Sequence, residues 1–146
     1  MSVKSIIFLL FLIGGATVAA MDHEMKHNNP ITDERISLNL SPMVKQHQLA
    51  NMRNHVDAVR RIIAAISKDD FDGASKIASQ ELGLTEEMEQ MCNRFENQDF
   101  REMGLAFHES GDQLAKMLKT GNVQESLQAL NVTMGHCVSC HATFRQ

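Results

Sequence analysis

The sequence predicts an all-α protein, specifically an antiparallel four-helix bundle. Apolar residues recur at steps of three and four along several long segments, which is the periodicity of an amphipathic helix. Short polar or glycine-containing connections separate these segments, and no segment alternates between apolar and polar residues as a strand does. The 146 residues are 43% hydrophobic and 22% charged, which suits one ordinary globular domain. Long helices with short connections favour a bundle.

The first predicted helix begins after Ser41, with Pro42 at the first helical position. It ends before the polar residues 68–70, and Asp70 is predicted to cap the following segment. We expect one apolar face of this helix to be buried, formed by Leu49, Met52, Val56, Val59, Ile63 and Ile66.

The sequence predicts three further helical segments in the middle of the chain. The first of these spans residues 71–82 and ends at Gly83. Thr85 starts a short helix that carries Met88, Met91 and Phe95. The last of the three is a long helix that spans about 99–120 and ends at Gly121. Its predicted core residues are Phe100, Met103, Phe107, Leu114 and Leu118.

The last predicted helix begins near Asn122. A single stripe at helical spacing predicts its buried face: Val123, Leu127, Leu130, Met134, Cys137, His141 and Phe144.

The N-terminus has the three-part pattern of a secretory signal peptide over residues 1–20. Lys4 precedes the apolar run IIFLLFLI, and the small residues of ATVAA follow two glycines. An uncleaved membrane anchor is the alternative, although the apolar run is short for a membrane span. We therefore expect an exported, periplasmic protein without a membrane span after cleavage. Residues 21–40 form an irregular arm, and residues 41–146 form the bundle.

The charge distribution argues against a nucleic-acid partner. The formal net charge is −4, and no block of Lys or Arg stands out. Phosphate binding needs a concentrated basic face.

The residues that indicate a cofactor form a C-x-x-C-H motif from Cys137 to His141. This is the attachment motif of c-type haem. Cysteines three apart on a helix point to nearly the same side, so both thiols can reach the two vinyl groups of one haem. The histidine that follows Cys140 is then the expected proximal iron ligand. The motif predicts one covalently bound haem c near the C-terminus, held inside the bundle because the motif continues the apolar stripe.

Three other interpretations of these cysteines are open. A thioredoxin-like redox pair needs a strand-to-helix junction, whereas this motif ends a helical sequence. A zinc site needs a fourth ligand, for which His136 or His108 is available. A disulfide between Cys137 and Cys140 is the third interpretation, although cysteines three apart on a helix are poorly placed to bond to each other.

The motif CVSCHATFR resembles the closing motif of the cytochrome c′ family and its low-spin relatives. Phe144 and Arg145 stand three and four positions after His141, where the family has an aromatic and a basic residue of the haem surroundings. The resemblance covers roughly residues 41–146 and is strongest in the last helix. It implies a four-helix bundle that carries electrons or binds NO or CO, and many members are homodimers. The middle of the chain matches only in pattern and has no Trp or Tyr.

The resemblance also implies which residue faces the distal side of the haem. A residue of the first helix lies there in the family, and Met52 holds the matching position. Met52 is either the distal iron ligand, which would give low-spin His/Met iron, or an apolar side chain packed over an open iron. His55 and His47 are further candidates. Gln48 stands where the family often has an Arg that meets a haem propionate, so Lys45 or Arg53 is the expected substitute.

These expectations combine into an exported monohaem c-type cytochrome that carries one electron between redox partner proteins and is not an enzyme. The alternative is a five-coordinate haem protein that binds small gases such as NO or CO, with weak peroxidase activity as a third case. A dimer face is predicted around Val44 and Ile62, outside the expected core stripe.

Two smaller features complete the sequence predictions. Cys92 is expected to be a buried unpaired thiol, with an intermolecular disulfide as the alternative. Cleavage after Ala20 would leave Met21-Asp22-His23 as the amino terminus. A histidine at the third position can bind Cu(II) or Ni(II), whereas the other interpretation is a disordered polar arm.

Overall fold

A computed structural model describes residues 32–146. The predicted signal peptide, the Met21-Asp22-His23 terminus and the arm up to residue 31 lie outside this range. Within residues 32–146 the chain forms five α-helices, one π-helical turn and two very short strands. The protein is therefore mostly helical, as the sequence predicted. No helix of this part of the chain is long and apolar enough to cross a membrane.

The elements follow the chain in a simple order. They are β1 (Ile36–Ser37), α1 (Pro42–Ile66), α2 (Phe71–Ile77), a π-helical turn (Ala78–Leu82), α3 (Glu86–Cys92), α4 (Gln98–Leu118), α5 (Val123–Thr143) and β2 (Phe144–Arg145). Each of the predicted helical segments is confirmed to within a few residues. The π-helical turn was not predicted.

Side-chain caps fix the helix starts where the sequence placed them. Ser41 accepts a hydrogen bond from the main-chain N–H of Val44, and Asp70 accepts one from Gly73. Thr85 and Asn122 cap α3 and α5 in the same way. Capping depends on a few neighbouring residues, which is why sequence alone identifies it.

The two glycines predicted to stop helices act differently. Gly121 has φ of +71°, a left-handed conformation that follows α4 as predicted. Gly83 is extended, with φ −69° and ψ 166°. Its N–H donates to the carbonyl of Ala78, which closes the π-helical turn. The second segment therefore ends by widening its last turn and not by a left-handed glycine.

The core lies where α1, α2, the π-helical turn, α4 and α5 meet. Helix α4 packs against α2, α3, α5 and the π-helical turn, while α1 packs against α2 and the same turn. The apolar side chains buried at this junction are Ala58, Ile62, Ile66, Ala74, Ala78, Leu82, Phe107, Leu114, Ala115, Leu118 and Leu130.

The predicted buried face of α1 is only partly right: Ile66 is buried and Val59 packs against the core, but other positions of the face are exposed. Ile62 is fully buried, whereas Ile63 is 48% exposed and Val56 is 71% exposed. Ala58, one turn before Ile62, is also fully buried. The small side chain of Ala58 lets α1 approach its neighbours, and hydropathy alone does not reveal this advantage. Because Ile62 lies in the core, it cannot contribute to the predicted dimer face; Val44 is exposed.

The predicted stripe of α5 is also partly wrong. Leu130 and Phe144 are buried as expected, but Val123, Leu127, Met134 and His141 are exposed. The buried line instead passes through Ser126 and Thr133. Ser110 of α4 donates to the hydroxyl of Thr133 over 3.2 Å. Thr133 is thus hydrogen-bonded across the contact, whereas the buried hydroxyl of Ser126 has no partner within the described residues and fits there because the side chain is small.

The strands correct the prediction that the chain has none. β1 and β2 pair in parallel, with Ile36 opposite Phe144. The N–H of Leu38 donates to the carbonyl of Arg145 over 3.0 Å. Two residues are too few to show alternation in a sequence, so periodicity could not reveal them. This pairing fastens residues 33–38 to the end of α5, and we call these residues the strap.

Candidate functional site

One apolar cavity joins four helices of the described chain. The empty space inside it is about 650 Å³, a figure that includes the part open to solvent. Helices α1, α3, α4 and α5 all contribute to its wall. Its apolar lining consists mainly of Met52, Met88, Met91, Phe95, Phe100, Met103 and Phe107.

The two cysteines and the histidine of the C-x-x-C-H motif all line this cavity. Cys137 and Cys140 are half-buried and form no disulfide within residues 32–146. Burial raises the pKa of both thiols, and the neighbouring Cys137 adds to the effect on Cys140. Both sulfurs are therefore protonated at neutral pH. His141 is exposed and lies at the rim of the cavity.

The geometry does not favour a zinc site at these cysteines. Within residues 32–146, no group of three or more His, Cys, Asp or Glu side chains is arranged to hold a metal ion. His136 and His108 line the cavity but do not complete such a group with Cys137 and Cys140.

The structure brings two of the three predicted distal candidates to the cavity. Met52 and His55, one turn apart on α1, both line it and are half-buried. His47 is exposed and lies outside this lining. Gln48 is buried and lines the cavity, whereas Lys45 and Arg53 are exposed and do not.

The half-buried ring of His55 and the buried ring of His108 lie side by side on the cavity wall. Their ring centroids lie 5.5 Å apart with an interplanar angle of 81°, and Phe107 lies 4.9 Å from His55. Burial lowers the pKa of His55 to about 4, with a smaller contribution from His108. Burial also lowers the pKa of His108, against the opposing effects of main-chain hydrogen bonds with Leu82 and Gly83 and of the Asp112 charge. Both rings are thus neutral at pH 7.

A single hydrogen bond fixes the orientation of His108. Its Nδ1 lies 2.9 Å from the main-chain carbonyl oxygen of Leu82. Because a carbonyl only accepts, Nδ1 carries the proton and Nε2 keeps its lone pair. Sequence reasoning considered His108 only as a zinc ligand and did not assign it to a haem site. Its position one residue after Phe107, on the predicted core face of α4, was the available indication.

Helix α3 and the residues just after it close one side of the cavity. Met88, Met91 and Cys92 of α3 line it, and so does Phe95 beyond the end of the helix. Cys92 is buried, as predicted, and is unpaired within the described chain. Burial raises the pKa of its thiol.

The two haem-neighbouring residues implied by the resemblance lie beside the cavity and not in its lining. Phe144 is buried, and its ring meets that of Phe100 edge-on at a centroid distance of 5.3 Å. Phe100 itself lines the cavity, so Phe144 supports the wall from behind. Arg145 is exposed and donates from Nε to the carbonyl of Arg35 over 3.3 Å.

The comparisons with known proteins returned no relatives. No family model matches the chain, and neither the curated proteins nor the solved structures gave a significant match.

Proposed function

We propose that the protein binds one haem c through thioether bonds to Cys137 and Cys140 and acts as a one-electron carrier. The observation that supports this best is the shared cavity: both thiols, His141 and Met52 line one apolar space. A bound haem would supply Fe(II)/Fe(III) cycling.

The chemistry of the two cysteines fits this cofactor. Thioether formation adds a thiol across a vinyl double bond, so that sulfur bonds to one carbon and the proton goes to the other. Cys137 and Cys140 are unpaired in the described chain, and they occupy the same wall of the cavity. The apolar side chains around them would exclude water from the faces of the porphyrin.

His141 is the proposed proximal ligand. Its exposure at the cavity rim leaves the imidazole available for a bond to iron. Met52 of α1 lines the same cavity and is a candidate second ligand, whose thioether would raise the reduction potential. Phe144 and Arg145 are proposed to support the haem surroundings from outside the cavity.

We also propose that the helices form the antiparallel four-helix bundle of the cytochrome c′ family. Contacts between α4 and α5 support opposite directions, because Phe100 near the start of α4 meets Phe144 just after α5. Ser110 and Thr133 meet halfway along both helices. The connection between these helices is only four residues long, from 119 to 122.

The proposed location is the periplasm, because c-type haem is attached outside the cytoplasm and residues 1–20 have the composition of a signal peptide. The proposed role is electron transfer to and from partner proteins, without catalytic turnover.

Covalent attachment is the first test. The protein is produced with its leader in a bacterium that attaches c-type haem, and haem retention is measured after denaturation. We expect the wild type and a Cys92→Ala variant to retain haem, and a Cys137→Ala/Cys140→Ala variant to lose it. Cys92 is the matched control because it lines the same cavity outside the motif. A wild-type protein without bound haem would refute the proposal.

Optical spectra then separate the electron carrier from the gas-binding alternative. They are recorded for the oxidised and reduced holoprotein, with and without CO. A low-spin spectrum that CO does not change supports an electron carrier with both axial positions filled. A high-spin spectrum that shifts on addition of CO would instead support binding of NO or CO at an open position.

A further inference from the structure

We infer that His108 provides the second axial ligand of the haem iron, so that the iron is held by two imidazoles and Met52 is a packing residue. This inference rests on the proposed haem function. It concerns which side chain of this cavity completes the coordination.

The first argument is the way His108 is held. Histidines that bind metals usually donate their other ring N–H to a carbonyl or carboxylate, which fixes the ring and its tautomer. His108 has this arrangement, with Nδ1 2.9 Å from the carbonyl oxygen of Leu82. With the proton on Nδ1, the lone pair that a metal requires lies on Nε2.

The second argument is location. His108 is only 5% exposed, yet it lines the cavity that also contains Cys137, Cys140 and His141. The ring therefore stands on the wall of the same cavity as the haem-attachment motif, and the surrounding protein shields most of it from solvent.

The third argument is that two backbone features hold His108 in place. The π-helical turn presents the carbonyl of Leu82, and such turns occur often at functional sites. Gly111, three residues after His108, lets α4 approach this turn, because a β-carbon at residue 111 would lie 2.5 Å from the Leu82 oxygen. Close backbone packing thus brings the Leu82 carbonyl within reach of the ring.

The other two candidate ligands, Met52 and His55, have side chains that are held less firmly than the ring of His108. Met52 has a flexible thioether side chain that serves equally well as packing against an apolar cofactor. His55 is more exposed than His108, and neither of its ring nitrogens has a hydrogen-bond partner within the described residues. Its ring lies against Phe107 and His108 and supports the orientation of the latter.

The test begins with wild-type holoprotein that has passed the covalent-attachment test. Near-infrared magnetic circular dichroism of the oxidised protein distinguishes two imidazoles from an imidazole with a thioether. We expect the signature of two imidazoles. An imidazole–thioether signature, or a high-spin spectrum, would overturn the inference while the covalent haem leaves the proposed function standing. Absence of covalent haem would count against the proposed function instead.

Variants identify the residue. His108→Ala should convert the oxidised iron from low-spin to high-spin, and added imidazole should restore the low-spin spectrum. Met52→Leu and His136→Ala should leave the spectrum unchanged; His136 is the matched control because it is a cavity-lining histidine on α5. A low-spin spectrum in His108→Ala, or a high-spin one in Met52→Leu, contradicts the inference. If His108→Ala does not fold, a low-spin spectrum kept by both Met52→Leu and His55→Ala, together with the wild-type signature, supports His108, and a high-spin spectrum in either variant contradicts the inference.

Discussion

Gly111 of α4 lies directly against the main chain of Leu82, the last residue of the π-helical turn. A β-carbon at residue 111 would come 2.5 Å from the Leu82 carbonyl oxygen and 3.0 Å from the main-chain nitrogen of Gly83. Both atoms belong to the backbone and cannot swing away. The contact links the core to the cavity, because the same carbonyl accepts the hydrogen bond from His108.

Gly111→Ala should therefore destabilise the fold, although alanine is normally the better helix former. We expect a loss of about 1–3 kcal/mol in the free energy of unfolding, the usual cost of overpacking. Urea denaturation measures it. Gly135→Ala on α5 is the matched control, since a β-carbon at residue 135 would meet nothing within 4 Å. That variant should be neutral or more stable by up to about 1 kcal/mol, and equal effects of the two substitutions would contradict the packing argument.

The neighbouring isoleucines of α1 test which face is buried. Ile62 is fully buried and Ile63 is 48% exposed. Ile62→Ala should cost about 2–5 kcal/mol in unfolding free energy, because it leaves a cavity in the core. Ile63→Ala should cost less than about 1 kcal/mol. Chemical denaturation of the two variants provides the comparison, and the reverse order would restore the face that apolar periodicity predicted.

Local features of the fold could be predicted from the sequence, and the choice between neighbouring faces could not. Helix starts depend on one capping side chain and the next three residues, so Ser41 and Thr85 were identified correctly. The buried face of α1 depends on which partner the helix meets. Ala58 and Ser126 are buried because small side chains allow close packing, and their hydropathy gives no such indication.

The residues of the candidate site also divide into those that the sequence could predict and those that it could not. Cys137, Cys140 and His141 are close in sequence, so their spacing alone predicted a common site. Met52 was reached through a family resemblance, and the structure brings it to the same cavity. His108 depends on contacts between α4 and the π-helical turn, which lie 26 residues apart in the chain. No local pattern encodes such a pairing.

The strap provides a prediction about the end of the haem-motif helix. Arg35 donates from Nη1 to the main-chain carbonyl of His141 over 3.2 Å, and Arg145 in turn donates to the carbonyl of Arg35. Arg35→Ala should loosen the strap and raise the hydrogen-exchange rate of the Leu38 amide by up to about fivefold, since exposed contacts of this kind are weak. Arg60→Ala is the control, because that guanidinium pairs with Asp57 on α1. An unchanged exchange rate in Arg35→Ala would show that β1–β2 pairing alone holds the strap.

Protonation of Asp33 at acidic pH should loosen the strap. Hydrogen bonds from the Arg35 side chain lower the pKa of this carboxyl from 3.8 to about 2, and the charge of Arg145 adds a smaller effect. A lowered pKa means that the folded state favours the carboxylate. The resulting stabilisation is complete above about pH 4 and is lost as the pH falls through about 2. We expect the NMR signal of the Leu38 amide, which donates to Arg145, to titrate in this window in the wild type. Asp33→Asn should remove that titration, whereas Asp57→Asn, which affects the ion pairs of α1, should leave it in place.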